Sequence, residues 1–545
     1  MTPEGALYSA VPTGARAMAI ARDRLKGFRG QWSAMLVAVW VATLGAMVVG
    51  AAVDQPILAV VPLVLALVLV AIAKAPLRYT LMALTFLALT MENPAERSGA
   101  GLWKSPIWMV GALLLSNLNT TLPIKALRFS GLDLMTALLF AVWLRRRILG
   151  RHEVSPDMPE TARPLRKASL LSFGTVVFLM AWGIATHGDF TNALWQTQKM
   201  LYVPIIFALM SATFRGPLDH KLIGGLVIGA ATSKAVLAMY VRSVLGPEPP
   251  YVTTHADSML FATAFSIPLI RLLIAADKKS FQLCMLVWPL LIGGMIANGR
   301  RLVWVQVSIV AIIVLLMTPW TPVKRMLVRA LVIMAPLAPI YLAAGWNSGS
   351  AIFKPVKTFR SIADSKSDRS SETRDIENFN LIVTLKAGSF IPMGFGHEYI
   401  EQVQADDISQ YFAQYRFIPH NSVLGLWAFA GVLGFTGIWM MLGVAVFCAA
   451  RAYRMTRNVD HQTAALACIG TIFIYLMHCY GDMGLVNWIG VFLVAPAMVV
   501  AGKLAVATGA FPSTRSRPAA PLPAAGPVPV PVPAYQLGPE EVTLQ

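Results

Sequence analysis

Charged residues are scarce in this sequence. Only 13% of its 545 residues are Asp, Glu, Lys or Arg, whereas 56% are hydrophobic. A soluble chain of this length would expose far more charge, so the composition excludes an ordinary soluble protein. Many apolar runs reach or approach the ~20 residues that a helix needs to cross a bilayer, and they are too uniformly apolar for the alternating strands of a membrane barrel. The composition therefore predicts an all-α polytopic membrane protein.

Cysteines are few, and several catalytic motifs are absent. The four cysteines are scattered in or near apolar runs without CxxC spacing, so we interpret them as packing residues rather than metal ligands or a disulfide framework. There is no G-x-x-x-x-G-K-[ST] phosphate loop and no H-E-x-x-H motif, which argues against ATP-driven transport and zinc proteolysis. No apolar run carries the acidic series expected of an ion-coupled transporter. The sequence predicts neither a metal site nor a cofactor.

Positive charge, in contrast, is in excess. The formal net charge is +18, and in a membrane protein such an excess is typical of cytoplasmic loops rather than of nucleic-acid binding. We predict about 12–14 transmembrane helices, with 106–118 as a short re-entrant or interfacial segment. The predicted spans are 33–53, 56–73, 76–91, 130–147, 168–187, 200–214, 222–245, 258–274, 281–297, 302–318, 326–344, 420–448, 462–480 and 485–503. With the N-terminus inside and the long loop left aside, the Lys and Arg residues of the connecting segments and span ends divide 27 to 7 in favour of the inside, which predicts that both termini are cytoplasmic.

These spans divide the chain into five segments. They are a cytoplasmic N-terminal segment (1–32), N-terminal transmembrane helices (33–344), a long periplasmic loop (345–419), three C-terminal transmembrane helices (420–506) and a disordered, Pro-rich cytoplasmic tail (511–545). The loop is polar but nearly neutral, with eight Lys or Arg and nine Asp or Glu, and loops of this length in compact folds are usually functional or disordered. Within it, the stretch SETRDIENFNLIVTLKAG predicts an amphipathic helix. Its apolar positions are Ile376, Phe379, Ile382 and Val383.

Two arginine groups lie on the predicted outer face. Arg300 and Arg301, in ANGRRLVW, stand at the mouth of a span, where they either act as snorkelling anchors or bind a phosphate bidentately. Arg374, on the predicted loop helix, either forms a surface ion pair with Asp375 or Glu377 or binds an anion.

Two further groups on this face contain histidine. In PMGFGHEY, Gly394 and Gly396 permit a tight turn before His397 and Glu398, which by itself is a weak signal. His420, in RFIPHNSVLG, is either an interfacial residue at the start of a helix or a general base, because imidazole suits proton transfer near pH 7.

Several other polar residues are weaker candidates, for which we favour structural roles. They are Lys199, His255, His478 and Asp482. Lys199 lies at an outer helix mouth, where a third cation would suit an anionic lipid head group. Lys234 falls deep inside a predicted span, and nothing in the sequence explains it. Gly431, Gly434 and Gly437 lie three residues apart and suit close helix packing.

The order of these pieces along the chain is their most specific feature. Arginines at the mouth of a span are followed by two more spans, a long loop and three last spans. Inside the loop come R-x-x-x-x-F, about a dozen residues, P-x-G-x-G, and then H-N at the start of a span with G-V-L-G. Over 298–437 this order resembles the bacterial O-antigen ligase and O-antigen polymerase family of membrane glycosyltransferases.

The resemblance implies a GT-C-like helical fold in the bacterial inner (cytoplasmic) membrane, with the active face in the periplasm. The donor would be a glycan on undecaprenyl diphosphate, transferred en bloc to an acceptor hydroxyl without nucleotide sugar or metal. Family members use outer-face arginines on the diphosphate and a loop histidine near the acceptor. By this resemblance the catalytic residues are His420 and Arg374. Either Arg300 or Arg301 corresponds to the arginine at the span mouth, and both are candidates for diphosphate binding together with Arg374 and Lys199.

On this basis we expect an inverting, metal-independent glycosyltransferase of exopolysaccharide or O-antigen biosynthesis. Guanidinium groups would stabilise the leaving diphosphate, and His420 would take the proton of the acceptor. The length and the number of spans favour a polymerase over a ligase that transfers O-antigen to the lipid A core. A protein O-glycosyltransferase and a non-enzymatic flippase or transporter of lipid-linked glycan are the alternatives. The expected partners are the lipid-linked glycan, an acceptor glycan, membrane lipids and other polysaccharide assembly proteins, and not nucleic acid.

Overall fold

The computed structural model describes most of the chain between residues 75 and 513. The described residues are 75–91, 108–117, 129–149, 159–216, 219–246, 252–348, 353, 356, 360, 369–388, 392–409 and 412–513. The predicted spans 33–53 and 56–73, the N-terminal segment 1–32 and the tail beyond residue 513 lie outside them. Throughout the described residues the regular structure is helical, which confirms the all-α prediction.

The described residues form fifteen α-helices. They are α1 (Leu77–Thr90), α2 (Trp108–Leu115), α3 (Gly131–Ile148), α4 (Arg163–Ala185), α5 (Phe190–Thr213), α6 (His220–Leu245), α7 (Asp257–Ala275), α8 (Lys278–Asn298), α9 (Leu302–Met317), α10 (Pro322–Met334), α11 (Leu337–Gly345), α12 (Arg369–Ala387), α13 (Ser422–Met455), α14 (Val459–Gly481) and α15 (Trp488–Ala507). Seven of them are long and apolar enough to cross a membrane, or eight if α10 and α11, which meet at 51°, form one span. The chain is therefore a multi-pass membrane protein. In the segment expected to be short, 106–118, the described residues 108–117 include the eight-residue helix α2.

The helix α15 lies at the centre of the bundle. It is apolar on every side, and 94% of its most hydrophobic segment is buried, as expected for a helix that is hydrophobic all round. The helices α5, α13 and α14 pack around it, and α4 packs along α13. The C-terminal helices therefore form the core of the described bundle.

The glycines of α13 have two different roles. A Cβ on Gly437 would come within 2.5 Å of Thr175 Oγ1, and one on Gly434 within 2.7 Å of Leu179 Cδ1, so both glycines allow α4 to approach closely. Gly431 instead interrupts the helix with a φ of 57°, a left-handed value that glycine adopts without steric cost. The helix α13 therefore consists of two segments joined at a bend.

Because successive spans alternate in direction, their ends form two groups. One group contains the C-terminal ends of α4, α6, α8 and α14 and the N-terminal ends of α5, α7, α9, α13 and α15, and it adjoins the described parts of the long loop. We call this the loop end. At the opposite end, Arg78 pairs with Asp219, and Lys221 and Arg271 both pair with Asp460. Arg300, Arg301, Arg374 and His420 all belong to the loop end.

The stretch PMGFGHEY docks into a notch formed by α4 and the turn before α5. Gly183 lines the notch, since a Cβ there would lie 1.9 Å from the carbonyl oxygen of Phe395. Gly394 and Gly396 have φ angles of 84° and 98°, so the predicted tight turn uses a conformation that glycine adopts readily. The Asp189 N–H donates to the Gly396 carbonyl at 2.9 Å. The last part of the loop is thereby fixed to the bundle.

Lys234, which the sequence leaves unexplained, has a partner inside the bundle. Its Nζ lies 2.5 Å from Asp257 Oδ1, and the two side chains are 1% and 0% exposed. Nζ also donates to the Met91 carbonyl at 3.1 Å. Asp257 is the first residue of α7, so this ion pair joins α6 to the loop end of α7.

Candidate active site at the loop end

The loop helix α12 presents a buried polar face to the bundle. Asn380 donates to the Val403 carbonyl at 2.7 Å and accepts from the Val403 N–H at 3.0 Å. The apolar face that the sequence predicts is largely exposed, with Phe379 at 47% and Ile382 at 41%. The predicted helix itself is confirmed. Hydrogen bonds to the loop backbone and the fully buried side chain of Leu381 together attach α12.

Glu377, on the buried face of α12, contacts His420 at two points. Its carboxylate lies 3.1 Å from the backbone nitrogen of His420 and 3.2 Å from Nδ1 of the ring. The Glu377 side chain is 7% exposed and the His420 side chain 26%. The carboxylate is therefore nearly enclosed, whereas part of the imidazole is open to the loop end.

The residues that follow His420 start α13 and complete this junction. The side chain of Asn421 caps the helix, and its amide donates to Asn378 at 3.0 Å. The Ser422 hydroxyl donates to the Asp482 carbonyl at 3.2 Å. Three elements, α12, α13 and the end of α14, thus meet around His420.

Arg374 lies one helical turn before Glu377. Its charge is one of those that lower the pKa of Asp482, the residue that follows α14. Burial raises the pKa of Asp482, but neighbouring positive charges outweigh it and hold the pKa well below its usual range. These charges belong to His255, His478 and Arg374. Of these three, the charge of Arg374 contributes least to the lowered pKa of Asp482.

A second histidine–carboxylate pair lies in this cluster. His255 Nδ1 is 2.8 Å from Asp482 Oδ2, and the two side chains are 42% and 9% exposed. The segment that carries His255 is held from α8, because the Thr253 hydroxyl donates to the side chain of Asn298. The loop end thus has two such pairs, one involving His420 and one involving His255.

Arg300 and Arg301 precede α9 at the same end. Arg301 is the N-cap residue of α9 and is exposed, whereas Arg300 is half-buried. The next residue, Leu302, packs against the last residue of α14, because a Cβ on Gly481 would lie 3.1 Å from Leu302 Cδ1. Since Gly481 directly precedes Asp482, the start of α9 packs against the end of α14 next to Asp482.

Lys199 lies on α5, within the bundle. Its side chain is 8% exposed, and its Nζ lies 5.2 Å from the ring centroids of both Trp195 and Trp488. Nζ also donates to Gln198 Oε1 at 2.6 Å. Contacts with aromatic faces stabilise a cation. Because Trp488 is the first residue of α15, its contact with Lys199 puts the lysine near the loop end.

His397 and Glu398 hold the loop in place. His397 Nε2 lies 3.0 Å from Thr186 Oγ1, and Glu398 pairs with Arg416 at 3.5 Å. Arg416 pairs more closely with Glu401, at 2.6 Å. These residues therefore anchor the docked stretch and the loop segments beside it.

Sequence reasoning treated Glu377 only as an ion-pair partner of Arg374. Its position three residues after Arg374 puts both on one side of a helix, and that spacing is the signal that points to it. No comparable signal links His255 with Asp482, since they are brought together by the packing of α7 against α14. The four cysteines are buried and free in the structure, in agreement with a packing role.

One comparison with known protein families finds a match that includes the loop end. Residues 286–439 match the O-antigen ligase family, a region that runs from within α8 to within α13 and contains Arg300, Arg301, Arg374, Glu377 and His420. Comparison with curated proteins finds no match. The matched region contains the ordered motifs that the sequence shows, and the all-α membrane architecture agrees with it. The match over this region supports an O-antigen ligase/polymerase type of membrane glycosyltransferase.

Proposed function

We propose that this chain transfers a glycan en bloc from undecaprenyl diphosphate to a sugar hydroxyl, as an inverting, metal-independent glycosyltransferase. The observation that carries the proposal is the contact between Glu377 and His420. Because Arg374 lies one turn before Glu377 on α12, this contact puts Arg374 and His420 at the same end of the bundle. A cation for the leaving group and a base for the nucleophile thus share one end of the bundle.

His420 serves as the general base in this proposal. The acceptor hydroxyl attacks the anomeric carbon, and its proton passes to the imidazole. A positioned general base of this kind typically contributes about 10²–10⁴-fold to the rate. Direct displacement inverts the anomeric centre.

Arg374 and the pair Arg300 and Arg301 bind the diphosphate in this proposal. Negative charge grows on the diphosphate as its bond to the sugar breaks, and guanidiniums match phosphate oxygens in a bidentate manner. Fixed charges in a site shielded from water stabilise such a transition state by several kcal/mol.

An apolar cavity beside α5 supports a lipid-linked donor. It has a volume of about 1520 Å³, and its lining includes Phe140, Phe173, Trp195 and Gln198. Such a cavity suits the apolar chain of a polyprenyl lipid. Lys199 contacts both Trp195 and Gln198, so we propose it as a further cation for the head group.

We further propose that the chain lies in the bacterial inner membrane with the loop end in the periplasm and both termini in the cytoplasm. The excess of Lys and Arg at the opposite end of the spans supports this orientation. A topology reporter inserted in the loop between α11 and α12 should give a periplasmic signal. A cytoplasmic signal would overturn the orientation and with it the proposed site.

The proposed acceptor is a growing glycan, which makes the chain a polymerase of exopolysaccharide or O-antigen. A deletion strain should then lose long surface polysaccharide while its lipopolysaccharide remains capped. Accumulation of unligated O-antigen on undecaprenyl diphosphate would instead identify a ligase. Loss of glycan from surface proteins alone would identify a protein O-glycosyltransferase.

The site is tested by substitutions in the full-length protein. His420→Ala and Arg374→Ala should abolish glycan transfer while membrane insertion stays normal. His187→Gln is a matched control, because His187 is an exposed histidine at the same end of the bundle. Wild-type transfer in the His420 and Arg374 variants would overturn the assignment.

A further inference from the structure

Glu377 is a buried carboxylate whose contacts all go to one histidine among the bonds seen in the described residues. Its two oxygens lie 3.1 Å from the His420 backbone nitrogen and 3.2 and 3.4 Å from Nδ1. Burying a charge is costly unless hydrogen bonds or an ion pair compensate it. The start of α13 is already tied to α12 by the bond between Asn421 and Asn378. The attachment of α13 to α12 therefore does not require the contact between Glu377 and Nδ1 of His420.

The contact at Nδ1 determines where the proton of His420 lies. An ionised carboxylate accepts hydrogen bonds and cannot donate them. Nδ1 therefore carries the hydrogen when the ring is neutral, and Nε2 keeps its lone pair. Nε2 has no partner among the hydrogen bonds seen in the described residues, and the ring is 26% exposed. His420 is thus prepared to accept a proton at Nε2.

We propose that Glu377 is the positioning residue of this site, holding His420 in the Nδ1–H tautomer with Nε2 directed at the acceptor hydroxyl. This role rests on the proposed glycan transfer. During transfer the acceptor oxygen bonds to the anomeric carbon and its proton passes to Nε2. The bond from that carbon to the diphosphate oxygen breaks, and the diphosphate leaves with the electron pair. The imidazolium that forms lies 3.2 Å from the Glu377 carboxylate, which stabilises its charge.

Glu377→Gln separates this role from simple attachment. The amide has the shape of the carboxylate but only one acceptor oxygen. If that oxygen keeps the backbone N–H of His420, the amide NH₂ group faces Nδ1 and donates to it. The ring hydrogen then moves to Nε2, which can no longer accept a proton. The expected result is a fall in kcat of about 10²–10⁴-fold, the size of a general-base contribution, with the KM for the lipid-linked donor nearly unchanged.

The tautomer is measured directly by nitrogen NMR on full-length protein containing ¹⁵N-labelled histidine. The signals of His420 are assigned by their loss in His420→Gln. Wild-type protein should show the Nδ1–H form and Glu377→Gln the Nε2–H form. Glu372→Gln, an exposed glutamate on the same helix, is the matched control and should leave both the tautomer and kcat unchanged. Asn378→Ala, which breaks only the link to Asn421, should also leave the tautomer unchanged.

Three results would overturn the proposal. They are an unchanged tautomer in Glu377→Gln, a changed tautomer with unchanged kcat, and an equal change of tautomer in Asn378→Ala. The tautomer is read without substrate, so this measurement holds even if the proposed transfer reaction is wrong. Failure of the transfer reaction would appear separately, as transfer that persists in His420→Ala.

Discussion

Lys234→Met removes one half of an ion pair that lies wholly inside the bundle. Lys234 and Asp257 are 1% and 0% exposed, with Nζ and Oδ1 2.5 Å apart. Methionine fills a similar volume without charge, so the change leaves the packing largely intact and strands the carboxylate of Asp257. The side chain of Asp257 also accepts a hydrogen bond from the Thr254 N–H at 2.8 Å. A shift of this carboxylate would therefore also move the segment that carries His255.

The cost of this change can be bounded from the contacts. Removing one partner of a buried ion pair typically destabilises a protein by about 3–5 kcal/mol, because the other charge is left uncompensated. Asp257 keeps its bond to Thr254 and stands in the first turn of α7, where the helix dipole favours a negative charge. We therefore expect a loss near the lower end, about 3 kcal/mol. In the double variant Lys234→Met/Asp257→Asn no uncompensated charge remains. Its free energy of unfolding should therefore exceed that of Lys234→Met by at least about 2 kcal/mol.

Equilibrium unfolding of the purified protein in mixed detergent measures these differences. The double-mutant cycle gives the coupling energy between the two sites. A single variant within about 0.5 kcal/mol of wild type would contradict the reasoning, since changes of that size are typical of surface positions. Additive losses in the double variant would contradict it too, because they would show that the two charges do not compensate each other.

Three further outcomes follow from the contacts at the loop end. Gly183→Ala places a Cβ 1.9 Å from the Phe395 carbonyl oxygen, so the backbone of the docked loop must move. Small displacements near an active site lower the rate by up to about 10²-fold. We therefore expect glycan transfer, measured in membranes, to fall at least about tenfold. His255→Gln removes the contact between Nδ1 and the Asp482 carboxylate and should weaken transfer more than His187→Gln does in the same assay. The pKa of Asp482 is lowered in the folded protein. The ionised Asp482 therefore stabilises the protein above the usual carboxylate pKa of about 3.9, and this stabilisation is lost progressively as the pH falls below that value. The difference in thermal stability between wild type and Asp482→Asn should shrink accordingly in acid.

The helices could be predicted from sequence because their signals are local. Apolar runs mark the spans, and the ordered pieces around Arg374 and His420 lie within about one loop of each other. The expected helix on the loop is present as α12, and the glycines of PMGFGHEY make the predicted turn. These features depend on residue type and spacing alone.

The partners of the charged residues could not be predicted, because they depend on how distant helices pack. Lys234 is explained only by Asp257, which reaches it because α6 and α7 are neighbours. On α12, Asn380 bonds to the loop backbone and Glu377 contacts His420. The hydrophobic pattern predicts the helix but does not identify these polar partners.

Residues outside the matched family region also contribute to the loop end. His255 and Asp482 lie before and after residues 286–439, and they are held together by the packing of α7 against α14. Asp482 in turn accepts from Ser422, two residues after His420. The segments around the family motifs therefore determine how the motif residues are oriented, which a match to the motifs alone does not describe.

The helix α12 fixes the spacing between the two halves of the proposed reaction. Arg374 and Glu377 are three residues apart, a rise of about 4.5 Å along a helix axis, and they lie on one side of the helix. In a displacement at an anomeric carbon, the attacking hydroxyl and the leaving diphosphate stand on opposite sides of one atom. The cation that binds the diphosphate and the base that accepts the proton must therefore be a few ångströms apart, and the distance between them must stay constant. A regular helix maintains that distance better than a loop does, which gives a physical reason for a helix inside the long loop.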